Sequence, residues 1–421
     1  MKRFVMVWLV ISVEVCTAWA QSSIQDMDSA KWMEDLHYLA EQLPKRHKNL
    51  YHQISPEEFE QAVAALRQKI PSLSNHEVAV ELGRIVALVG DGHTELWLTQ
   101  PATGFRWYPL IFSFFGDSLY VLAATEPYKQ AIGTRVLKIG DVAIEAAYEA
   151  VKRLIAHDND MEYLHSAPVY LAVPEILHAL GIVADMDRAV FTLADPEGKV
   201  VTVEVQAVAE RGTLEWLDAR TLAGNKPPLA VQRPEDYYWF EYLEDSQTLY
   251  LKYNRCTNQK DKPSIKKFAK AVFDVVDRNP VERFVLDIRH NTGGNMDLNR
   301  PIIEGIRERP TINKSGHLFV ITGPRTFSAA TKAAIEMKKQ TEAIFVGEPS
   351  RGKPNGYGEV RDFELPNSGI EVDYSVRFYN PIPELGDVPY LPVDMAVENS
   401  FEDFRAGRDR VLEAVLAYSQ H

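Results

Sequence analysis

The sequence predicts an α/β protein with a helical N-terminal region and a separate β-rich module, and three patterns along the chain predict it. Beyond about residue 237, short apolar runs alternate with longer amphipathic stretches, which is how a sheet with crossover helices reads. Between about 22 and 98 the apolar residues recur at helical spacing instead. From 105 to about 206 they fall in strand-like runs separated by turn residues. The chain accordingly divides into a leader over 1–20, a helical region over 21–104, a β-rich module over 105–206, a linker over 207–236 and the α/β domain over 237–421.

The leader begins with Lys2 and Arg3, continues in an apolar run, and ends in Ala18-Trp19-Ala20. That is the pattern of an export signal cut after Ala20, so a periplasmic or secreted mature chain is expected. The apolar run is short for a bilayer span and contains Glu14, so no membrane span is expected after its removal. Cys16 leaves with the leader, and the remaining Cys256 reads as a packing residue.

In the helical region, Ser55-Pro56-Glu57-Glu58 is a capping box with proline at the first helical position, followed by Phe59, Val63, Leu66 and Ile70 on one face. A second helix starts at Ser74 or Asn75 and stops at Gly90-Asp91-Gly92; His93 follows, leading into a strand-like stretch from Thr94 to Leu98. The module reads as strands over 108–114 and 119–123, a helix over 146–155, a helical insert over 163–180, and a hairpin turned by Asp195-Pro-Glu-Gly198. Pro227, Pro228 and Pro234 mark the linker. The α/β domain reads as strands over 248–253, 283–286, 317–321 and 343–346, alternating with helices over 264–277, 298–306 and 328–339.

A formal charge of −13, from 59 acidic and 46 basic residues, argues against nucleic acid as a partner, because phosphate binding rests on clustered cations. The histidines and cysteines lack metal-ligand spacing and no phosphate loop follows a strand, so no metal and no cofactor are expected.

Two strand ends carry chemistry. After 284–286, Asp287-Ile-Arg-His-Asn-Thr-Gly293-Gly294 closes on a glycine pair, which lets backbone N–H groups meet an anion; Asp287 and Arg289 can equally form a structural ion pair in a tight corner. After 317–321, Gly323-Pro-Arg-Thr-Phe-Ser328-Ala-Ala opens a helix. Ser328 there either caps the helix, as Thr326 could, or stands as a nucleophile with the Ala329 amide as its first oxyanion donor. A serine nucleophile needs a base, and the chain offers two: Lys353, one helix and one strand downstream, and His93 in its glycine-flanked turn.

The order of these blocks resembles the tail-specific, or C-terminal processing, serine peptidase family over roughly 248–416. Asp287-Ile-Arg-His-Asn-Thr-Gly-Gly294 is similar to its Asp-Leu-Arg-Asn-Asn-Pro-Gly-Gly strand end, Ser328-Ala-Ala-Thr331 to its Ser-Ala-Ser-Glu block, and Gly347-Glu-Pro-Ser-Arg-Gly-Lys353 to its lysine block. Where dyad members have glycine and then glutamine after the lysine, this chain has Pro354 and Tyr357. Gly90-Asp-Gly-His-Thr94 resembles the histidine block of the tricorn-like branch, in which a downstream acid completes a relay; Glu371, Asp373, Glu384 and Asp387 lie in that stretch, with Glu384 and Asp387 as candidates to orient the base.

The resemblance implies a crotonase-like ββα-type core and a degenerate PDZ-like module over 105–206, whose Gly133 to Asp141 stretch is similar to a PDZ strand. It further implies an exported serine peptidase acting on protein or peptide substrates. In it, Ser328 attacks a peptide carbonyl, His93 or Lys353 is the general base, with the motif matches favouring His93, and Ala329 with Gly293 or Gly294 forms the oxyanion hole. The same fold also serves non-catalytic ligand binding in photoreceptor retinoid-binding repeats, so a binding protein is the alternative.

Overall fold

The computed structural model describes residues 24–419, so the leader and Cys16 lie outside the described residues. Three helices open the fold. α1 (Ser29–Arg46) is capped by Asp28, α2 (Pro56–Lys69) by the Ser55 capping box and α3 (Asn75–Ala87) by a second box at Ser74. Their buried faces, among them Trp32, Leu36, Phe59, Leu66, Val78 and Leu82, meet in one core.

A seven-stranded sheet follows. Its strands are β1 (Leu110–Phe115), β2 (Ser118–Ala124), β3 (Arg135–Ile139), β4 (Val142–Ala143), β5 (Arg188–Ala194), β6 (Val200–Gln206) and β7 (Leu217–Asp218). The main order is β1-β2-β3-β5-β6, so β1 lies at an edge. Helices α4 (Ile144–Lys152), α5 (Met161–Tyr170) and α6 (Pro174–Ala179) are inserted between β4 and β5, and short α7 (Ala219–Leu222) follows β7.

The second sheet comprises β8 (Tyr238–Leu243), β9 (Thr248–Tyr253), β10 (Arg283–Asp287), β11 (Leu318–Thr322), β12 (Ile344–Gly347) and, late in the chain, the two-residue Met395–Ala396 strand. The latter five pair in parallel, and β8 adds antiparallel at the far edge. Crossover helices α8 (Ile265–Val276), α9 (Arg300–Arg307) and α10 (Ala329–Gln340) cover one face. A helix near the C-terminus covers the other through Val411, Leu412 and Val415. Both faces being covered explains why β9 and β11 are buried along their whole length.

Between β12 and the last strand, the chain forms a hairpin of β13 (Gly356–Glu364) and β14 (Glu371–Tyr379); that last strand, Met395–Ala396, is β15, and α11 (Phe401–Arg405) and α12 (Arg410–Ala417) finish the fold. The hairpin belongs to the other core: Phe363, Leu365, Ile370, Val372 and Tyr374 pack among the N-terminal helices and the first sheet. Buried Asp35 of α1 holds its turn, accepting the amides of Asn367 at 2.8 Å and Ser368 at 2.9 Å. The expected strand over Thr94 to Leu98 reduces to a bridge between Leu96 and Val372, flanked by Glu95 and Asp373 exchanging two backbone bonds. The segment is thus bound to β14 for too short a length to be a strand.

Candidate active site

The carboxyl ends of adjacent parallel strands deliver two turns to one place, the position where open α/β sheets bind ligands. From the end of β11 the chain runs through Gly323-Pro-Arg-Thr-Phe to Ser328, and α10 begins at Ala329. Thr326 ties this loop to its neighbour: its hydroxyl donates to the Ile288 carbonyl at 3.0 Å and accepts the Gly323 amide at 3.1 Å. The Phe327 amide donates to the Asn291 carbonyl at 3.0 Å. Ser328 is thereby held at φ +52° and ψ −121°. Such a backbone costs a residue with a Cβ about 1–3 kcal/mol and collects at functional sites. Ser328 stands at the N-cap, yet its side chain makes no capping bond. With Thr326 committed to Ile288, neither hydroxyl is the helix cap that the sequence allowed.

The turn after β10 packs directly against Ser328. Gly293 has φ +106°, and a Cβ on it would lie 2.7 Å from the Ser328 Cβ; Gly294 has φ +128°, and its Cβ would meet the Cys256 carbonyl at 2.5 Å. Only glycine fits either place. Their amides differ, however. That of Gly293 donates to Asn291 Oδ1 at 2.9 Å, whereas among the described residues no hydrogen bond engages the amides of Gly294 and Ala329. Gly294 and Ala329 also line the cavity with Ser328, so of the two glycines it is Gly294 whose amide is free to donate there.

Beneath this turn lies a sealed ion cluster. Asp287 accepts from Lys252 Nζ at 2.9 Å and pairs with Arg289 at 2.9 Å, and Arg289 reaches Asp409 at the start of α12 at 2.7 Å. Burial alone would raise the Asp287 pKa, but Arg289 and Lys252 hold the carboxyl well below its usual range. The expected ion pair is therefore present as part of a larger network. Cys256 is buried as well, its Sγ 3.6 Å from Asn291 Oδ1.

His93 reaches the same place from the N-terminal region. Its ring stacks on Phe327, the residue before Ser328, with centroids 4.2 Å apart. It is buried, and neither ring nitrogen has a hydrogen-bond partner among the described residues. Burial lowers its pKa from the usual value, helped by Arg351 and Lys332 and opposed by Asp158 and Asp91. Ser328, His93 and Lys353 all line one cavity of about 630 Å³, together with Asp158, Lys332 and Tyr357.

Lys353 is differently placed. Its Nζ donates to Asp387 at 2.8 Å, in a pair whose carboxylate is 77% exposed. Asp387 is thus committed to Lys353, and Glu384 sits exposed on a short turn of helix. The carboxylate nearest the His93 ring is instead Asp91, with Oδ1 4.0 Å from Nδ1.

Three neighbours were absent from the sequence reading. Lys332 lies one helical turn after Ser328, a spacing visible in Ser328-Ala-Ala-Thr-Lys332 that places both on one face; burial brings its pKa down to about 8, opposed by Asp158. Asp158 accepts the amides of Gly92 at 3.0 Å and Lys353 at 3.2 Å, clamping the two loops that carry the basic residues. His47 donates from Nε2 to Asp91 at 2.9 Å. No local pattern marks the last two.

This architecture is the fold of the tail-specific, S41-type proteases. Among solved structures, mature CPAF complexed with lactacystin aligns with 92% of this chain and 97% of its own, at a TM-score of 0.62 and 13% identity. A serine-to-alanine mutant of CPAF aligns with 93% of this chain and 99% of its own, at a TM-score of 0.63 and 12% identity. The photosystem II D1 C-terminal processing protease covers 91% of this chain and 98% of its own, at a TM-score of 0.38 and 13% identity. No protein-family model and no curated protein sequence matches the chain.

Proposed function

We propose that the chain is a serine peptidase in which Ser328 attacks a peptide carbonyl, His93 takes the hydroxyl proton, and the Ala329 and Gly294 amides receive the oxyanion. The observation that carries this reading is the strained backbone of Ser328 at a helix start, in a cavity that it shares with His93 and two unengaged amides. Strain at that position suits a nucleophile presented to substrate. The imidazolium then returns its proton to the leaving amine, and water, activated the same way, hydrolyses the acyl-enzyme. CPAF, with the same fold, is itself a protease, which supports the assignment.

Burial and the lack of a ring partner among the described residues favour His93 over Lys353 as the base, since the Lys353 ammonium is held by Asp387. Adjoining hollows of about 330 and 570 Å³ share Asp158 and Lys353 with the Ser328 cavity, which is room for an extended peptide on either side of it. We read the 105–206 unit as PDZ-like and the parallel sheet with its helices as the crotonase-like core. A cavity of about 750 Å³ along the free edge of β1, walled by α5 and by Arg211, Arg289 and Arg325, supports a tail-binding groove by strand addition. Export rests on the leader pattern at 1–20.

The test is covalent labelling of the purified protein by a fluorophosphonate. The wild type is expected to label and to cleave an unfolded protein substrate, and Ser328→Ala to do neither. A wild type that stays unlabelled yet binds peptides or apolar ligands assigns the fold to binding instead.

A further inference from the structure

Of the acids downstream of Ser328, Asp387 is held by Lys353, Glu384 is turned outward at the surface, Asp373 accepts the Trp97 indole N–H at 2.8 Å, and Glu359 accepts the Tyr379 hydroxyl at 2.9 Å. The carboxylate beside His93 comes from its own turn. Asp91 is 1% exposed, and its partner His47 is wholly buried. Asp91 Oδ2 accepts His47 Nε2 at 2.9 Å and the Thr94 hydroxyl at 2.6 Å; Oδ1 accepts the His93 amide at 2.9 Å. Oδ1 keeps a lone pair, and His93 Nδ1 lies 4.0 Å away.

The state of His47 follows from its other nitrogen. His47 Nδ1 accepts the Asn49 amide at 3.0 Å, so its one proton sits on Nε2 and the ring is neutral. A neutral His47 orients Asp91 without cancelling its charge. The negative charge stays available to whichever group lies on the other side, and that group is His93.

Resting on the peptidase reading above, we propose that Asp91, fixed by His47, is the positioning residue that holds the neutral proton of His93 on Nδ1 and so turns Nε2 toward Ser328. A separation of 4.0 Å closes to hydrogen-bond length with a shift of about one ångström, the loosening common in unliganded catalytic sites. The other charges around the ring are Asp158 before α5, Asp373 on β14, Arg351 after β12 and Lys332 on α10, with Glu359 of β13 and Arg377 of β14 lining the same cavity. Asp158 attracts the imidazolium more strongly than Asp91 does. Its oxygens, however, serve the Gly92 and Lys353 amides, and Asp91 is the carboxylate within 4.0 Å of a ring nitrogen. Asp158 therefore adds charge and Asp91 adds orientation.

Nitrogen-15 NMR of histidine-labelled full-length protein separates the two, because the shifts of Nδ1 and Nε2 report which carries the proton. The wild type is expected to show His93 protonated on Nδ1. Asp91→Asn should move that proton to Nε2 and lower kcat about 10³–10⁴-fold with KM little changed, the loss known when a triad aspartate becomes asparagine. Asp158→Asn should lower the pH at which His93 titrates but leave its proton on Nδ1. Should Asp91→Asn not fold, His47→Leu against His47→Gln carries the test: Leu removes the donor to Asp91 and should cut kcat at least tenfold more than Gln, which can replace it. An unchanged His93 tautomer in Asp91→Asn, or equal activity in the two His47 variants, overturns the proposal. An unlabelled wild type would sink the peptidase reading alone, since the tautomer is still read by NMR.

Discussion

The Ser328 cavity has two walls of opposite construction. The nucleophile wall is made of neighbours: two adjacent parallel strands, the turns that follow them, and a cluster around Asp287 that fastens both to the sheet. The base wall is assembled from distant parts: His93 on its turn, His47 from the end of α1, Asp158 from before α5, and β14, whose backbone bonds to Glu95 hold the segment. The first wall is tied together through the sheet, Thr326 bonding to Ile288 and Gly323 and Asp287 to Lys252 and Arg289. In the second, both His93 nitrogens lack partners among the described residues, and the ring is held by stacking on Phe327 and by its turn. Strain is thus stored where the nucleophile sits, and adjustability where the proton moves.

The largest effect expected from breaking the first wall is on stability. Replacing Lys252 by Met leaves Asp287 buried with Arg289 as its remaining cation, and removing one partner of a buried pair costs about 3 kcal/mol. A denaturant midpoint measured on Lys252→Met checks this, and a value near that of the wild type would show that Arg289 suffices. Gly293→Ala should act more narrowly. The new Cβ would sit 2.7 Å from that of Ser328, on a backbone with φ +106°. Displacing the nucleophile from its amides is expected to lower the fluorophosphonate labelling rate by about 10²-fold, the size of losing one oxyanion donor.

The same contrast explains how much could be read in advance. Gly293-Gly294 and Ser328 were legible because each lies at the end of an apolar run whose strand assignment needs only local pattern, and Ser55 announced its helix through a capping box. The β13–β14 hairpin escaped because Glu359, Arg361, Asp362 and Glu364 make its first strand look like a polar loop, and its apolar partners belong to α1 and the first sheet. The family likeness points to an acid downstream, among residues of which Asp387 turns to Lys353. Asp91 was visible but looked like turn chemistry, because nothing in the chain ties it to His47, one long loop and two helices away. That the Gly293 amide is occupied depends on a side-chain rotamer of Asn291, which no spacing encodes.

The base wall sets the pH response. His93 accepts a proton only when neutral, so activity is lost as pH falls through its pKa. Burial lowers that pKa from 6.5, with Arg351 and Lys332 acting in the same direction, so the acid limb of kcat/KM should lie below pH 6.5 and the rate should be level through neutrality. A limb near pH 8 would instead point to Lys332, which burial brings to that value. The profile measured in His93→Gln sharpens the comparison: the limb should vanish along with most of the rate, about 10²–10⁴-fold.

The smallest effect belongs to Lys353, which touches both walls and builds neither. Its backbone amide is clamped by Asp158, but its Nζ reaches out to Asp387, whose exposed carboxylate solvent screens. Exposed pairs of this kind contribute at most about 1 kcal/mol. Lys353→Met keeps the amide and the stem and removes only the charge. Labelling of Ser328 should therefore stay within about threefold of the wild type, a change below 1 kcal/mol in barrier height, with KM for a charged peptide moving more than kcat. Loss of labelling in Lys353→Met with retention in His93→Gln would exchange the roles of the two residues and make the lysine loop, rather than the His93 turn, the wall that moves the proton.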